Sequence, residues 1–141
     1  PLRPLSKVVS GGELSRISLA IQVITARAAR IPTLIFDEVD TGIGGGVAEV
    51  VGRQLRTLGG NRQVLCVTHL PQVAAQAHQQ LKVEKRTDGE NTHTQVLSLE
   101  IGERITEIAR MLGGLELTAN TLAHAQEMVE KAAVSIMEGE S

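Results

Sequence analysis

Thr33-Leu34-Ile35-Phe36-Asp37-Glu38 and, further along, Val64-Leu65-Cys66-Val67-Thr68-His69 decide the fold. Each is a short apolar run that ends abruptly in polar groups able to do chemistry. Neither alternates polar with apolar residues, as a half-exposed strand does. Both are therefore expected to be strands buried on both faces, the habit of parallel sheets. Between them lies a glycine-rich turn, Gly42 to Gly46, then Val47, Val50, Val51, Leu55 and Leu58 at helical spacing, with Gly59-Gly60 as the stop. Strand, helix, strand is a βαβ unit, and its crossover is expected to be right-handed.

Upstream, a helix is expected from just after Ser10, with Leu14, Ile17, Ile21, Ile24 and Ala28 as its buried face and Pro32 closing the region. Downstream, Pro71 suits the first turn of a further helix. Leu81 to Arg86 and Thr94 to Leu99 read as two more strands, with Thr87 to Asn91 as the hairpin loop between them. Two closing helices carry Ile105, Ile108, Ala109 and Leu112, then Leu122, Ala125, Val129 and Ala132 from a start near Thr118. The expected class is α/β: short parallel strands with crossover helices, then a β-hairpin and two C-terminal helices.

Composition narrows the function. Hydrophobic residues make up 42% of the 141 residues but aromatics only 1%, so the core has to be built from Leu, Ile, Val and Ala. The net charge of −2 offers no overall attraction to nucleic acid or anionic lipid, and the aromatics that stack on single-stranded bases are missing. A single cysteine excludes an internal disulfide framework and fits a reducing, cytoplasmic compartment. No apolar run approaches the ~20 residues of a membrane-spanning helix, and no secretory leader pattern opens the sequence. The opening Pro1-Leu2-Arg3-Pro4, without an initiating Met, reads as part of a longer chain.

Four short stretches carry chemistry, and each has a plainer alternative. Ser10-Gly11-Gly12-Glu13 is a capping box, with Ser as N-cap and Glu three residues on. Its paired glycines also strip side chains from a helix N-terminus, which leaves backbone N–H groups open to a phosphate. Asp37-Glu38 is either a solvated acidic turn or a metal-and-water site beyond the carboxyl end of a strand, where ligands of α/β sheets gather. A carboxylate there can hold Mg²⁺, and its neighbour can deprotonate a water. His69 ends the next strand at the same expected edge, either as a structural histidine or as a phosphate contact. Asp40-Thr41-Gly42-Ile43 is a turn with Asp40 as its former. The glycines that follow are not a dinucleotide fingerprint, since Val47 stands where the third glycine is required. Cys66 reads as a small buried hydrophobe. His78, His93 and His124 have no metal-ligand spacing. Lys82, Lys85 and Arg86 read as a solvated basic face, with DNA contact as the alternative.

In this order the four stretches resemble the ABC ATPases. Ser10-Gly11-Gly12-Glu13 resembles the signature motif, Leu34 to Glu38 the Walker B strand with its catalytic glutamate, Asp40 the D-loop aspartate and His69 the switch histidine. Pro1 to Lys7, Asp37 to Ile43 and Thr68-His69-Leu70-Pro71-Gln72-Val73-Ala74 are similar, more narrowly, to the RecN family of bacterial DNA-repair ATPases in the long coiled-coil SMC group. The resemblance covers nearly the whole chain. It implies that residues 1–141 are the C-terminal part of an ATPase head whose cofactors are ATP and Mg²⁺, acting in repair and recombination at DNA double-strand breaks.

It further implies roles. Asp37 would be the metal ligand, and Glu38 and His69 the catalytic pair. Ser10, Gly11, Gly12, Glu13 and Asp40 would serve nucleotide binding across an ATP-dependent head dimer. Partners would be a second copy of the head, the Walker A half of the same protein, and DNA through the intact protein, with no membrane. The Walker A pattern Gly-x-x-x-x-Gly-Lys-[Ser/Thr] is absent here, and no lysine is preceded by glycine. In the family that loop lies far upstream, so the chain alone is expected not to hydrolyse ATP. Two alternatives compete: a transporter nucleotide-binding domain, disfavoured by Leu-Pro-Gln after His69 and by Val-Asp-Thr-Gly-Ile after Glu38, and a non-catalytic dimerisation module.

Overall fold

The computed structural model describes residues 11–37, 40–114 and 116–134, with side chains from residue 17 onward. Ser10 and Glu38 lie outside the described residues. The chain divides into two compact units, Pro1–Gln76 and Ala77–Ser141.

In the first unit, α1 (Gly11–Ala28) leads into β1 (Thr33–Asp37), α2 (Gly45–Leu58), β2 (Gln63–Val67) and the single turn α3 (Pro71–Ala74). β1 and β2 pair in parallel, with Thr33 opposite Gln63 and Asp37 opposite Val67. This is the βαβ unit expected, with both strands one residue longer. Pro71 opens α3, where its missing N–H costs nothing. The core is aliphatic around one Phe: Leu19, Val23 and Ala26 from α1, Phe36 from β1, Ile43, then Ala48, Leu55 and Leu58 from α2, and Val73 from α3. Each fully buried Leu or Val is worth ~1.5–3 kcal/mol relative to exposure.

Three expectations about burial need correction. α1 buries Leu19, Val23 and Ala26, while Ile17, Ile21 and Ile24 are exposed, Ile24 to 67%. The helix has two apolar stripes, and the unit covers the other one. α2 buries Ala48, Gly52, Leu55 and Leu58, and Val47 and Val50 face out. The strands are covered on one face only. Leu34, Phe36, Val64 and Cys66 pack into the core, while Ile35 is 70% exposed and Leu65 and Val67 are exposed beside it. Apolar side chains thus occupy both faces of the pair, and among the described residues one face is bare.

In the second unit, β3 (Leu81–Asp88) and β4 (Asn91–Ser98) form an antiparallel hairpin, followed by α4 (Ile101–Gly113) and α5 (Ala119–Val134). The strands run further than expected. Asp88 pairs with Asn91, so the turn is only Gly89-Glu90, and Gly89 takes φ 62, a left-handed conformation that costs other residues. Ile108 and Ala109 of α4 and Ala125, Val129 and Ala132 of α5 are buried as expected. A capping box holds the start of α4: the Glu100 N–H donates to the Glu103 carboxylate at 2.9 Å while Glu100 caps the N3 backbone.

Two members of the basic cluster, Lys82 and Arg86, are engaged in ion pairs. Lys82 contacts Glu84 at 3.0 Å and Glu107 at 3.2 Å, Arg86 contacts Glu84 at 3.5 Å, and Arg110 contacts Glu107 at 2.6 Å. The Arg110 hydrogen bond, reinforced by Lys82, holds the Glu107 carboxyl below the usual carboxylate range against the opposing effect of burial.

Candidate active site at the carboxyl edge of the parallel pair

Because β1 and β2 run in the same direction and in register, their carboxyl ends meet at one edge. Asp37 closes β1 there, with its carboxylate exposed, and Thr68 and His69 follow directly on β2. Sequence order alone separates Asp37 from His69, and the parallel pairing removes that separation.

Asp40 links the two loops. It is 1% exposed, and its carboxylate points back into its own chain. The Thr68 hydroxyl donates to Asp40 Oδ2. The His69 backbone N–H donates to the same oxygen at 3.2 Å. The other oxygen, Oδ1, lies 3.5 Å from His69 Nδ1. Thr68 closes the arrangement by accepting the Leu70 N–H at 3.0 Å. A buried carboxylate without hydrogen bonds is costly, so Asp40 is tolerated because the turn after β2 supplies these donors. Its own loop is shaped to deliver it. The Ile43 N–H donates to the Asp40 carbonyl at 3.2 Å across a turn in which Gly42 adopts φ 77. The buried Ile43 side chain then anchors the loop in the core.

His69 itself is held by its backbone, and its ring, apart from the approach of Nδ1 to Asp40, is open, 71% of the side chain being exposed. An imidazole in that state is placed but accessible, which suits contact with a ligand. Cys66 lies half-buried just behind it in β2. Burial, then the charges of Asp40 and Asp37, push its thiol up to about 11. It is therefore a protonated, unreactive packing group at neutral pH.

The structure thus brings Asp37, Asp40 and His69 to one edge. Thr68 joins them, and sequence reasoning missed it. The available signal was a hydroxyl residue directly before a histidine at a strand end, opposite a buried aspartate. Gly11, Gly12 and Glu13 form the first turn of α1. Among the described residues no group of three or more His, Cys, Asp or Glu side chains could hold a metal. A Mg²⁺ ion needs less than that. It keeps several waters and takes one or two carboxylates plus substrate phosphates, and a single exposed carboxylate at a strand end, as at Asp37, fits. His78 and His124 are exposed, and His93 sits on the hairpin opposite Arg86.

Comparison with known proteins gives the fold first. It is similar to that of a solved structure from work on ATP-driven dimerisation and DNA-stimulated activation of SMC ATPases, which superposes with a TM-score of 0.65 at 19% identity, covering 78% of this chain and 66% of that one. No family model matches. The sequence is similar to proteins named DNA repair protein RecN. It is 60% identical over 129 residues to that of Vibrio cholerae, covering 92% of this chain and 23% of the relative. To that of Haemophilus influenzae it is 58% identical over 128 residues, covering 91% and 23%. To that of Bacillus subtilis it is 46% identical over 132 residues, covering 94% and 23%. The chain therefore spans about a quarter of the length of the curated relatives it matches.

Proposed function

We propose that this chain is the C-terminal part of the ATPase head of a DNA double-strand-break repair and recombination protein, and that the carboxyl edge of β1 and β2 is its hydrolytic half-site. The observation that carries this reading is the meeting of Asp37 and His69 at one edge of a parallel pair, with Asp40 fastening the two loops. The RecN-named relatives and the SMC-type fold favour it over a transporter domain.

In this mechanism Asp37 holds Mg²⁺, which would neutralise charge on the phosphates of bound ATP. Glu38 orients the attacking water and takes its proton. His69 contacts the γ-phosphate from the neighbouring strand. Gly11, Gly12 and Glu13 open a helix whose N–H groups, with Ser10 before them in sequence, would serve the γ-phosphate held by the opposite head, and Asp40 links events at the two sites. ATP closes two copies of the head on each other, and hydrolysis reopens them. DNA engages the intact protein, in the cytoplasm at the nucleoid. No described helix is long and apolar enough to cross a membrane. The Walker A half is a separate part of the same protein, so the 141 residues alone do not turn ATP over. Sustained hydrolysis by the isolated chain would contradict this.

The test is His69→Ala in the full-length protein. Removing a phosphate contact made at the reacting centre should lower kcat about tenfold or more. ATP affinity should stay broadly intact, because the Walker A loop supplies most of it. Turnover at saturating ATP and nucleotide binding are measured together. An unchanged kcat makes His69 a structural residue and removes the reading.

A further inference from the structure

Among the described side chains, α1 rests on its unit through one narrow stripe. Leu19, Val23 and Ala26 are buried, while Ile17, Ile21 and Ile24 on the neighbouring stripe are exposed. Apolar burial is non-directional, so this stripe holds the helix down without fixing its tilt. Directional contacts gather at the C-terminal end. Arg62, half-buried in the turn before β2, donates from Nη1 to the Ala26 carbonyl at 2.5 Å and to the Ala29 carbonyl at 3.0 Å. The Ala26 carbonyl belongs to the last turn, where the helix supplies no donor of its own, and a cation there also complements the dipole. Arg27 of the same turn donates to Gln54 of α2. The helix end furthest from Gly11-Gly12 is thus tied to α2 and to the entrance of β2, the strand that leads to Thr68 and His69.

We infer that Arg62 is a positioning residue for the first turn of α1. By clasping the C-terminal end of an 18-residue helix, about 27 Å long, it sets the angle at which Gly11-Gly12 is presented to the nucleotide of the opposite head. This rests on the reading of that turn as a contact made in trans, and it deepens that reading. Arg62 directly precedes β2, so the clasp ties the turn that serves the partner's nucleotide to the strand that serves the chain's own.

The experiment uses the full-length protein with Arg62→Ala and Arg62→Lys. For Arg62→Ala, ATP-driven dimerisation and kcat are expected to fall ~10-fold, within the ~2–30-fold span for residues that transmit between sites, while ATP binding to the monomer changes less than about twofold. Arg62→Lys restores a cation with several donors and should recover most of the loss. The deciding measurement is an equimolar mixture of Arg62→Ala with Glu38→Gln chains. In the mixed dimer both lesions fall in one composite site. The other site joins the intact Glu38 of one chain to the intact Arg62 and α1 of its partner. Turnover per total protein should therefore rise above that of Arg62→Ala alone. An arginine that only stabilised its own chain would damage that second site too, and the mixture would fall below Arg62→Ala alone.

A fall in this mixture, where Gly12→Asp with Glu38→Gln recovers, overturns the inference, as does wild-type kcat in a folded Arg62→Ala protein. Arg27→Ala covers the case in which Arg62→Ala does not fold. Its side chain is exposed, it removes the second tie, and its mixture with Glu38→Gln should rise in the same way. A fall there overturns the inference as well. Loss of ATP binding by Gly12→Asp monomers would bring down the trans reading itself and the inference with it, a separable result.

Discussion

Glu38→Gln in the full-length protein is expected to cut ATP turnover by ~10²–10⁴, the range for a lost general base, while ATP still binds and the closed head pair accumulates. Gln preserves the volume and one acceptor oxygen of Glu, so a water can still be held near the γ-phosphate. It cannot take the proton that water must lose. The two effects separate because binding energy comes from phosphate and Mg²⁺ contacts that the substitution leaves alone, whereas the proton is transferred only on the way to the transition state. Asp37, one residue earlier, closes β1 opposite Val67 and stays in place. The checks are steady-state hydrolysis and the mass of the ATP-bound species in solution. A loss smaller than about tenfold excludes Glu38 as the base.

Gly12→Asp is expected to abolish both ATP-driven dimerisation and hydrolysis while ATP binding to the monomer survives. Gly12 lies in the first turn of α1 and adds no side chain there. An aspartate there is favourable for the helix itself, since negative charge complements the N-terminal end of the dipole and glycine is the poorer helix former by a few tenths of a kcal/mol. The chain should therefore fold. The lesion is the side chain and its charge, which on the proposed trans contact would stand where the partner's γ-phosphate has to approach. Mixing Gly12→Asp with Glu38→Gln chains sharpens the case. In the mixed dimer both lesions fall in one composite site, because the nucleotide of the Glu38→Gln chain meets the Gly12→Asp signature. The other site is wild type throughout, and mixtures should regain activity that neither variant has alone. Loss of ATP binding by Gly12→Asp monomers is the result that contradicts a contact made in trans.

The chemistry-bearing edge was legible because its signals are local. Uninterrupted apolar runs end at Asp37 and at Thr68-His69, and a helix-length segment between them forces a parallel return. The part that was not legible depends on what covers what. In α1 the sequence Leu14, Ile17, Ile21, Ile24, Ala28 and the sequence Leu19, Val23, Ala26 are both good apolar stripes, and periodicity is blind to which one meets a neighbour. Two-faced apolarity in β1 and β2 was read correctly as composition and wrongly as burial. The hairpin turn was placed correctly but drawn too long, since Thr87, Asp88 and Asn91 resemble loop residues until cross-strand pairing claims them. Asp40 looked like a turn former. Its partners lie 28 and 29 residues away in sequence, a distance over which single-sequence reasoning carries no contact information.

The bare side of the β1–β2 pair has a practical consequence for anyone purifying this chain alone. Ile35, Leu65 and Val67 form an exposed aliphatic face, and among the described residues each strand pairs on one side only, leaving unmatched backbone donors and acceptors along both margins. Such margins recruit strands from other molecules, and an uncovered aliphatic patch adds adhesion to that templating. Concentrated stocks of the isolated chain are therefore prone to clumping. Co-production with the remainder of the full-length protein, or a charged substitution at Ile35, is the natural route to a well-behaved sample.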